Sequence, residues 1–319
     1  MHASLLSDKV AGATVASVYD ISVNSAKSIG RLLHVEVANT FDELLSSPDV
    51  DAIVICTSSE THVDLVTRAA AAGKPIMCEK PIAKDVQEVD KVLAAVDASG
   101  VPFMVGFNRR FDPSHRAVHE AVLNGRVGEV RLAHIISRDP APPPASYIEA
   151  SGGIFVDMTV HDFDMAVFLV GSPVVRVMAY GGVMVDPAIG EAGDIDTALT
   201  VLTHANGVIT TIDNCRQAAY GYDQRVEVFG SLGMAQSENR PIHHGVLSTA
   251  DGSHGQPLMN FFLERYALSY INELDAFVQY VRGGGESPVP GHAGRAAAVL
   301  ALAAGQSFRS GGPVDVMSG

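Results

Sequence analysis

A chain of 319 residues exceeds what one hydrophobic core serves, and 47% hydrophobic with 18% charged residues describes a folded enzyme of two domains rather than a disordered protein. A net charge of −14 argues against nucleic acid, which needs a basic surface, and against an anionic membrane as partners. Cys56, Cys78 and Cys215 lack CxxC or zinc-like spacing, and no apolar run reaches membrane-spanning length. With no signal-peptide pattern at the N-terminus, reduced core thiols in a cytoplasmic protein are expected.

The first hundred residues alternate apolar strands with amphipathic helices. A β-branched run at 15–19 ends at Asp20, and helical patterns follow over 25–33 and 41–45. The continuous apolar run 50–56 (VDAIVIC) reads as a strand covered on both faces. Ser59 is placed to cap the next helix, whose alanine-rich end stops at Gly73. Strands at 75–78 and 101–107 flank a helix over 85–98. This alternation predicts a Rossmann-like, doubly wound parallel sheet of the α/β class over residues 1–106.

From residue 107 the rhythm changes. A helix over 115–123 leads to a strand at 131–137. Strands at 197–203 and 208–214 flank Asn206-Gly207, and strands at 224–229 and 234–237 flank a Gly-Ser-Leu-Gly turn. Tight turns of this kind join antiparallel neighbours, so residues 107–319 read as an α+β domain with a largely antiparallel open sheet. Helices over 268–281 and 293–308 close the chain.

Three groups of residues carry chemistry. Asp20 closes a strand where a dinucleotide fold places an acid for the adenosine ribose, and with Ile21 beside it and no arginine nearby it favours NAD over NADP. Glu79-Lys80-Pro81 follows a strand at its carboxyl end, where open α/β sheets bind ligands and a lysine can steady a developing alkoxide. Asp157 and His161 in GGIFVDMTVHDFD are four apart, so one helix would show both on one face as a carboxylate-tuned general base. A metal pair and a structural histidine are the competing readings, and no third metal ligand is evident beside them. The Gly-x-Gly-x-x-Gly loop that pairs with an acid like Asp20 is expected about 20 residues earlier, at or before Met1, with a β-branched strand ahead of it. Gly12 lies after the first helix and does not substitute for it.

Together the Glu-Lys-Pro tripeptide, the Gly-Gly-x-x-x-Asp-x-x-x-His block and the runs VGFNRRFDPSH, SRDPAPPP, SGGIFVDMTVHDFDMA and ERYALSYINEL resemble the glucose–fructose oxidoreductase/inositol dehydrogenase family. The longer runs are most similar to its members that act on myo-inositol. This resemblance implies Lys80, Asp157 and His161 as the catalytic trio, and Asn108, Arg109, Asp139, Tyr220 and Tyr266 beside the substrate. It implies Cys56, Thr57, Ser58, His62 and Glu79, with Asp20, Ile21 and Lys80, along NAD. It also implies oxidation of a cyclic polyol hydroxyl and a homotetramer built through the open sheets. Another sugar or polyol, or a ligand-sensing relative without turnover, is the alternative.

Overall fold

The computed structural model describes residues 1–144, 147–148 and 151–316 and divides into two units. The first comprises Met1–Asn108 and Leu268–Arg295; the second comprises Arg109–Ala267 and Ala296–Gly319. Division thus falls at Asn108 rather than at 106, and 268–295 return to the first unit instead of continuing the second. Side-chain contacts explain the return: Ser287 Oγ donates to Phe103 O at 2.7 Å, and Arg295 pairs with Asp90 at 2.5 Å.

In the first unit α1 (His2–Asp8) precedes β1 (Ser17–Val18), α2 (Val23–Leu33), β2 (Glu36–Val37) and α3 (Phe41–Ser46). Then come β3 (Ile53–Ile55), α4 (Ser59–Ala71), β4 (Ile76–Glu79), α5 (Val86–Ser99) and β5 (Phe103–Gly106). All pairings are parallel, as predicted, but the sheet lies in two pieces, β1–β2 and β3–β4–β5. A cavity of about 550 Å³ touches Ser17, Val18, Ile53, Ile55 and Phe277, and reaches Asp20, Cys56 and Thr57. Ile76, Met77, Cys78, Met104 and Val105 are fully buried, each large apolar side chain contributing roughly 1.5–3 kcal/mol.

Local chemistry sets the helix starts. Asp85 accepts from Gln87 N and Glu88 N at the head of α5. At α4 the sequence expectation needs correction: Ser59 is the first helical residue, and Ser58 holds the cap position without a side-chain bond. Of the three thiols, Cys78 is a core residue, whereas Cys56 is exposed and Cys215 half-buried.

The second unit opens with a 3₁₀ turn over Asn108–Phe111, α6 (Pro113–Leu123) and β6 (Val130–Arg138). Two short helices follow, α7 (Ile154–Asp157) and α8 (Val160–Val170). Strands β7 (Val174–Gly182), β8 (Thr197–His204), β9 (Ile209–Cys215), β10 (Asp223–Gly230), β11 (Met234–Ser237) and β14 (Val314–Asp315) complete a seven-stranded sheet. Its order is β11-β10-β6-β9-β8-β7-β14, antiparallel throughout except for the parallel β6–β9 pair. Helix α9 (Pro187–Glu191) links β7 to β8, and β12 (Leu247–Thr249) and β13 (Gly252–His254) form a separate hairpin. Helices α10 (Phe262–Arg265), α11 (Ala267–Gly283) and α12 (Gly291–Ser310) end the helical content.

Both predicted hairpins form. Gly207 adopts φ +85° in the β8–β9 turn, and Gly230 N donates to Gly233 O at 2.8 Å between β10 and β11. One sheet face buries Ala133, Ile135, Leu202, Ile212 and Val228, while the other leaves Leu132, Tyr180, Leu199, Ile209 and Phe229 exposed.

Candidate active site

In the first unit β4 delivers Glu79 and Lys80 to its carboxyl end, and the Lys80–Pro81 peptide bond is cis. Glu79 lies in register with Gly106 of β5, where any Cβ would come within 3.0 Å of Glu79 Oε2. Glycine therefore lets the carboxylate lie across the neighbouring strand. Lys80 N donates to Glu79 Oε2 at 3.3 Å. Cys56, Thr57 and Ser58 form an exposed loop after β3. His62, predicted beside the cofactor, is 1% exposed, with Nδ1 2.8 Å from Pro81 O and Nε2 3.1 Å from Thr57 O. Its ring thus ties that loop to the Lys80–Pro81 turn and positions both. Asp20 and Ile21 are exposed after β1, and Asp20 Oδ1 accepts from Ser22 N at 2.7 Å. Asn108 is buried, its Nδ2 without a hydrogen-bond acceptor among the described residues, an uncompensated donor suited to a ligand.

In the second unit the Gly-Gly pair sets up Asp157. Gly153 has φ +85°, and a Cβ there would come within 2.9 Å of Asp194 Oδ1, which accepts from Ile154 N at 3.0 Å. Asp157 ends α7 and accepts from Tyr147 Oη at 2.8 Å and Arg216 Nη1 at 3.3 Å. The single helix expected to carry Asp157 and His161 is instead two, α7 and α8, interrupted at Met158–Thr159. The reason is Thr159, fully buried, whose hydroxyl donates to Asn214 Oδ1 at 2.8 Å and whose backbone N reaches back to Ile154 O.

Beneath this lies a polar network. Tyr266 Oη and Ser137 Oγ both donate to Gln224 Oε1, at 3.1 and 3.0 Å. Arg109 Nη1 donates to Ser137 Oγ at 2.9 Å and to Asp162 Oδ1 at 2.6 Å, while Asn214 Nδ2 donates to Asp162 Oδ2. Arg109 and Tyr266, predicted beside the substrate, are thus buried and engaged with protein partners. Tyr220 is exposed, accepting from Arg138 Nη1 at 2.8 Å. Asp139 lies half-buried among charges. Burial pushes it up to about 6, with Asp157 and Asp162 adding while Arg216 and Arg109 oppose. Sequence reading missed Arg216, Asp194 and Tyr147. Arg216 directly follows β9, a signal too weak without the partners that the fold brings to it.

The family model "Oxidoreductase family, NAD-binding Rossmann fold" matches residues 1–107, and "GFO/IDH/MocA C-terminal domain" matches 115–236. An inositol 2-dehydrogenase of Rhizobium meliloti (strain 1021) is 46% identical over 308 residues, covering 96% of this chain and 92% of that protein. The chain belongs to the GFO/IDH/MocA oxidoreductase family. A crystal structure of a myo-inositol dehydrogenase from Corynebacterium glutamicum superposes with a TM-score of 0.94 at 38% identity, covering 100% of this chain and 95% of that one. So does a scyllo-inositol dehydrogenase from Lactobacillus casei with bound NAD(H) and scyllo-inositol, with a TM-score of 0.93 at 27% identity, covering 99% and 95%.

Membership in the GFO/IDH/MocA family makes NAD the cofactor and the chain a dehydrogenase. An exposed carboxylate at Asp20, the exposed Thr57 and Ser58 hydroxyls and the buried donor of Asn108 fit such a dinucleotide. Among the described residues no helix is long and apolar enough to cross a membrane.

Proposed function

We propose that this chain oxidises one ring hydroxyl of a cyclic polyol, myo-inositol foremost, to the ring ketone. The observation that carries this reading is likeness along nearly the whole chain to an inositol 2-dehydrogenase. NAD supplies the hydride acceptor. His161 takes the hydroxyl proton as the ring carbon gives up its hydride, and Lys80 steadies the negative charge passing through the oxygen. Asp157, itself fixed by Tyr147 and Arg216, sets the electrostatics of the base. In this reading Arg109, Asn108, Asp139, Tyr220 and Tyr266 are the residues assigned to the polyol. Cys56, Thr57 and Ser58 with Asp20, Ile21 and Glu79 flank the cofactor.

The exposed face of the seven-stranded sheet supports a homotetramer, since Leu132, Tyr180, Leu199, Ile209 and Phe229 place an apolar stripe on it. The same reading makes the protein cytoplasmic. Initial rates of NADH formation with myo-inositol, scyllo-inositol and glucose test the proposal. Turnover is expected on myo-inositol. Binding of NAD with no turnover of any polyol would instead mark a ligand sensor.

A further inference from the structure

His2 of α1, Glu79 at the end of β4 and Glu273 of α11 meet inside the first unit. His2 Nε2 lies 2.8 Å from Glu79 Oε1, with side chains 11% and 20% exposed. Glu273 is 0% exposed, and neither of its carboxylate oxygens receives a hydrogen bond among the described residues. The donor atoms of the three residues all lie within 4.8 Å of one another. Two carboxylates this close in a desolvated place need either a proton or a cation between them.

We propose that His2, Glu79 and Glu273 bind one divalent transition cation of the Zn²⁺ class. An imidazole nitrogen with two carboxylate oxygens is a donor set that zinc accepts, at roughly 2.0–2.2 Å per bond. Tetrahedral bonds of that length set donors about 3.4 Å apart, so side-chain rotation must open the 2.8 Å His2–Glu79 pair slightly and close the wider spacings by roughly an ångström. The surroundings hold the donors in place. Tyr270 packs edge-on against the His2 ring at 5.5 Å, and Gly106 leaves room for the Glu79 carboxylate. Bound there, the cation cross-links α1, the end of β4 and α11. It also neutralises Glu79 next to Lys80. The role is structural and does not rest on the polyol reading.

The test uses the full chain stripped with a chelator. ZnCl₂ is titrated calorimetrically, Co²⁺ is titrated by visible absorption, and thermal melts are run with and without zinc. The expected result is one cation per chain, ligand-field bands of a low-coordinate Co²⁺ site, and a higher Tm with zinc. Glu273→Gln and His2→Gln should each weaken binding at least about tenfold and abolish the zinc-dependent rise in Tm. Replacing the exposed pair His243 and His244 by alanine should change neither. Either glutamine variant can fail to fold, so circular dichroism accompanies both, and the partly exposed His2 site serves as the milder change. Three results each overturn the proposal. The first is no zinc-dependent stabilisation and no stoichiometric binding by the parent chain. The second is binding unchanged in a folded Glu273→Gln or His2→Gln chain. The third is a protonated-carboxyl infrared band, present after addition of zinc and lost in Glu273→Gln, which would show that a proton satisfies the cluster.

Discussion

Arg216 donates to Asp157 across 3.3 Å from a guanidinium that is 1% exposed. Its other terminal nitrogen lies 3.4 Å from Asp194, which accepts from the first amide of α7. One arginine therefore holds both ends of the short helix that carries Asp157. Arg216→Met keeps the apolar stem but takes the cation from two largely buried carboxylates, a loss of about 3 kcal/mol. A lower Tm together with a fall in kcat is expected, and unchanged melting would show that solvent already screens the pair.

His161→Ala removes the proposed proton acceptor and, as a helix-compatible change, should leave α8 intact. Turnover should fall by roughly 10²–10⁴, with NAD binding preserved in a fluorescence titration. Near-normal turnover at neutral pH would move the base elsewhere. Lys80→Ala should depress kcat too, and Lys80→Arg should rescue it only poorly because the planar fork misplaces the charge.

Cofactor choice is expected to follow Asp20. Its carboxylate is exposed after β1 and would face the extra phosphate of NADP. NAD should give the higher kcat/KM, and Asp20→Ser should narrow that preference. Equal efficiency of the parent chain with both cofactors would reduce Asp20 to a turn residue holding Ser22 N.

Acid should loosen the second unit through His115. Burial, with the Arg265 and Arg109 charges, lowers this imidazole to about 3 against the partial pull of Asp112. The unfolded chain, with an imidazole near 6.5, binds a proton that the folded chain refuses. Its contribution is therefore complete above pH 6.5 and is lost as pH falls toward 3, costing about 3 kcal/mol by roughly pH 4.5. Asp139 works the other way: raised to about 6, it favours the folded state more as pH falls from there toward 4. Urea unfolding of the parent and His115→Gln chains between about pH 7 and 4.5 separates the two. The variant should lose the acid-induced decline attributed to His115, and parallel curves would contradict the assignment.

What the sequence determined by itself was everything encoded locally. Strand–helix alternation over the first hundred residues and turn chemistry at Asn206-Gly207 and Gly230–Gly233 act through neighbours in the chain, so composition and period reveal them. Strand β7 was not among the predicted strands although Gly171-Ser172-Pro173 marks the end of the helix before it, because its run Val-Val-Arg-Val-Met-Ala-Tyr-Gly-Gly does not alternate apolar with polar residues. Motifs also named Lys80, Asp157 and His161 as candidates, since residue type and spacing carry that information. Tertiary structure alone decided the rest. Return of residues 268–295 to the first unit, the parallel β6–β9 pair inside an antiparallel sheet, and the break between Asp157 and His161 depend on partners distant in the chain. Arg216 and Asp157 are 59 residues apart, and Thr159 and Asn214 are 55 apart. Such pairs leave no periodic trace, because burial selects them only once the strands have brought them together.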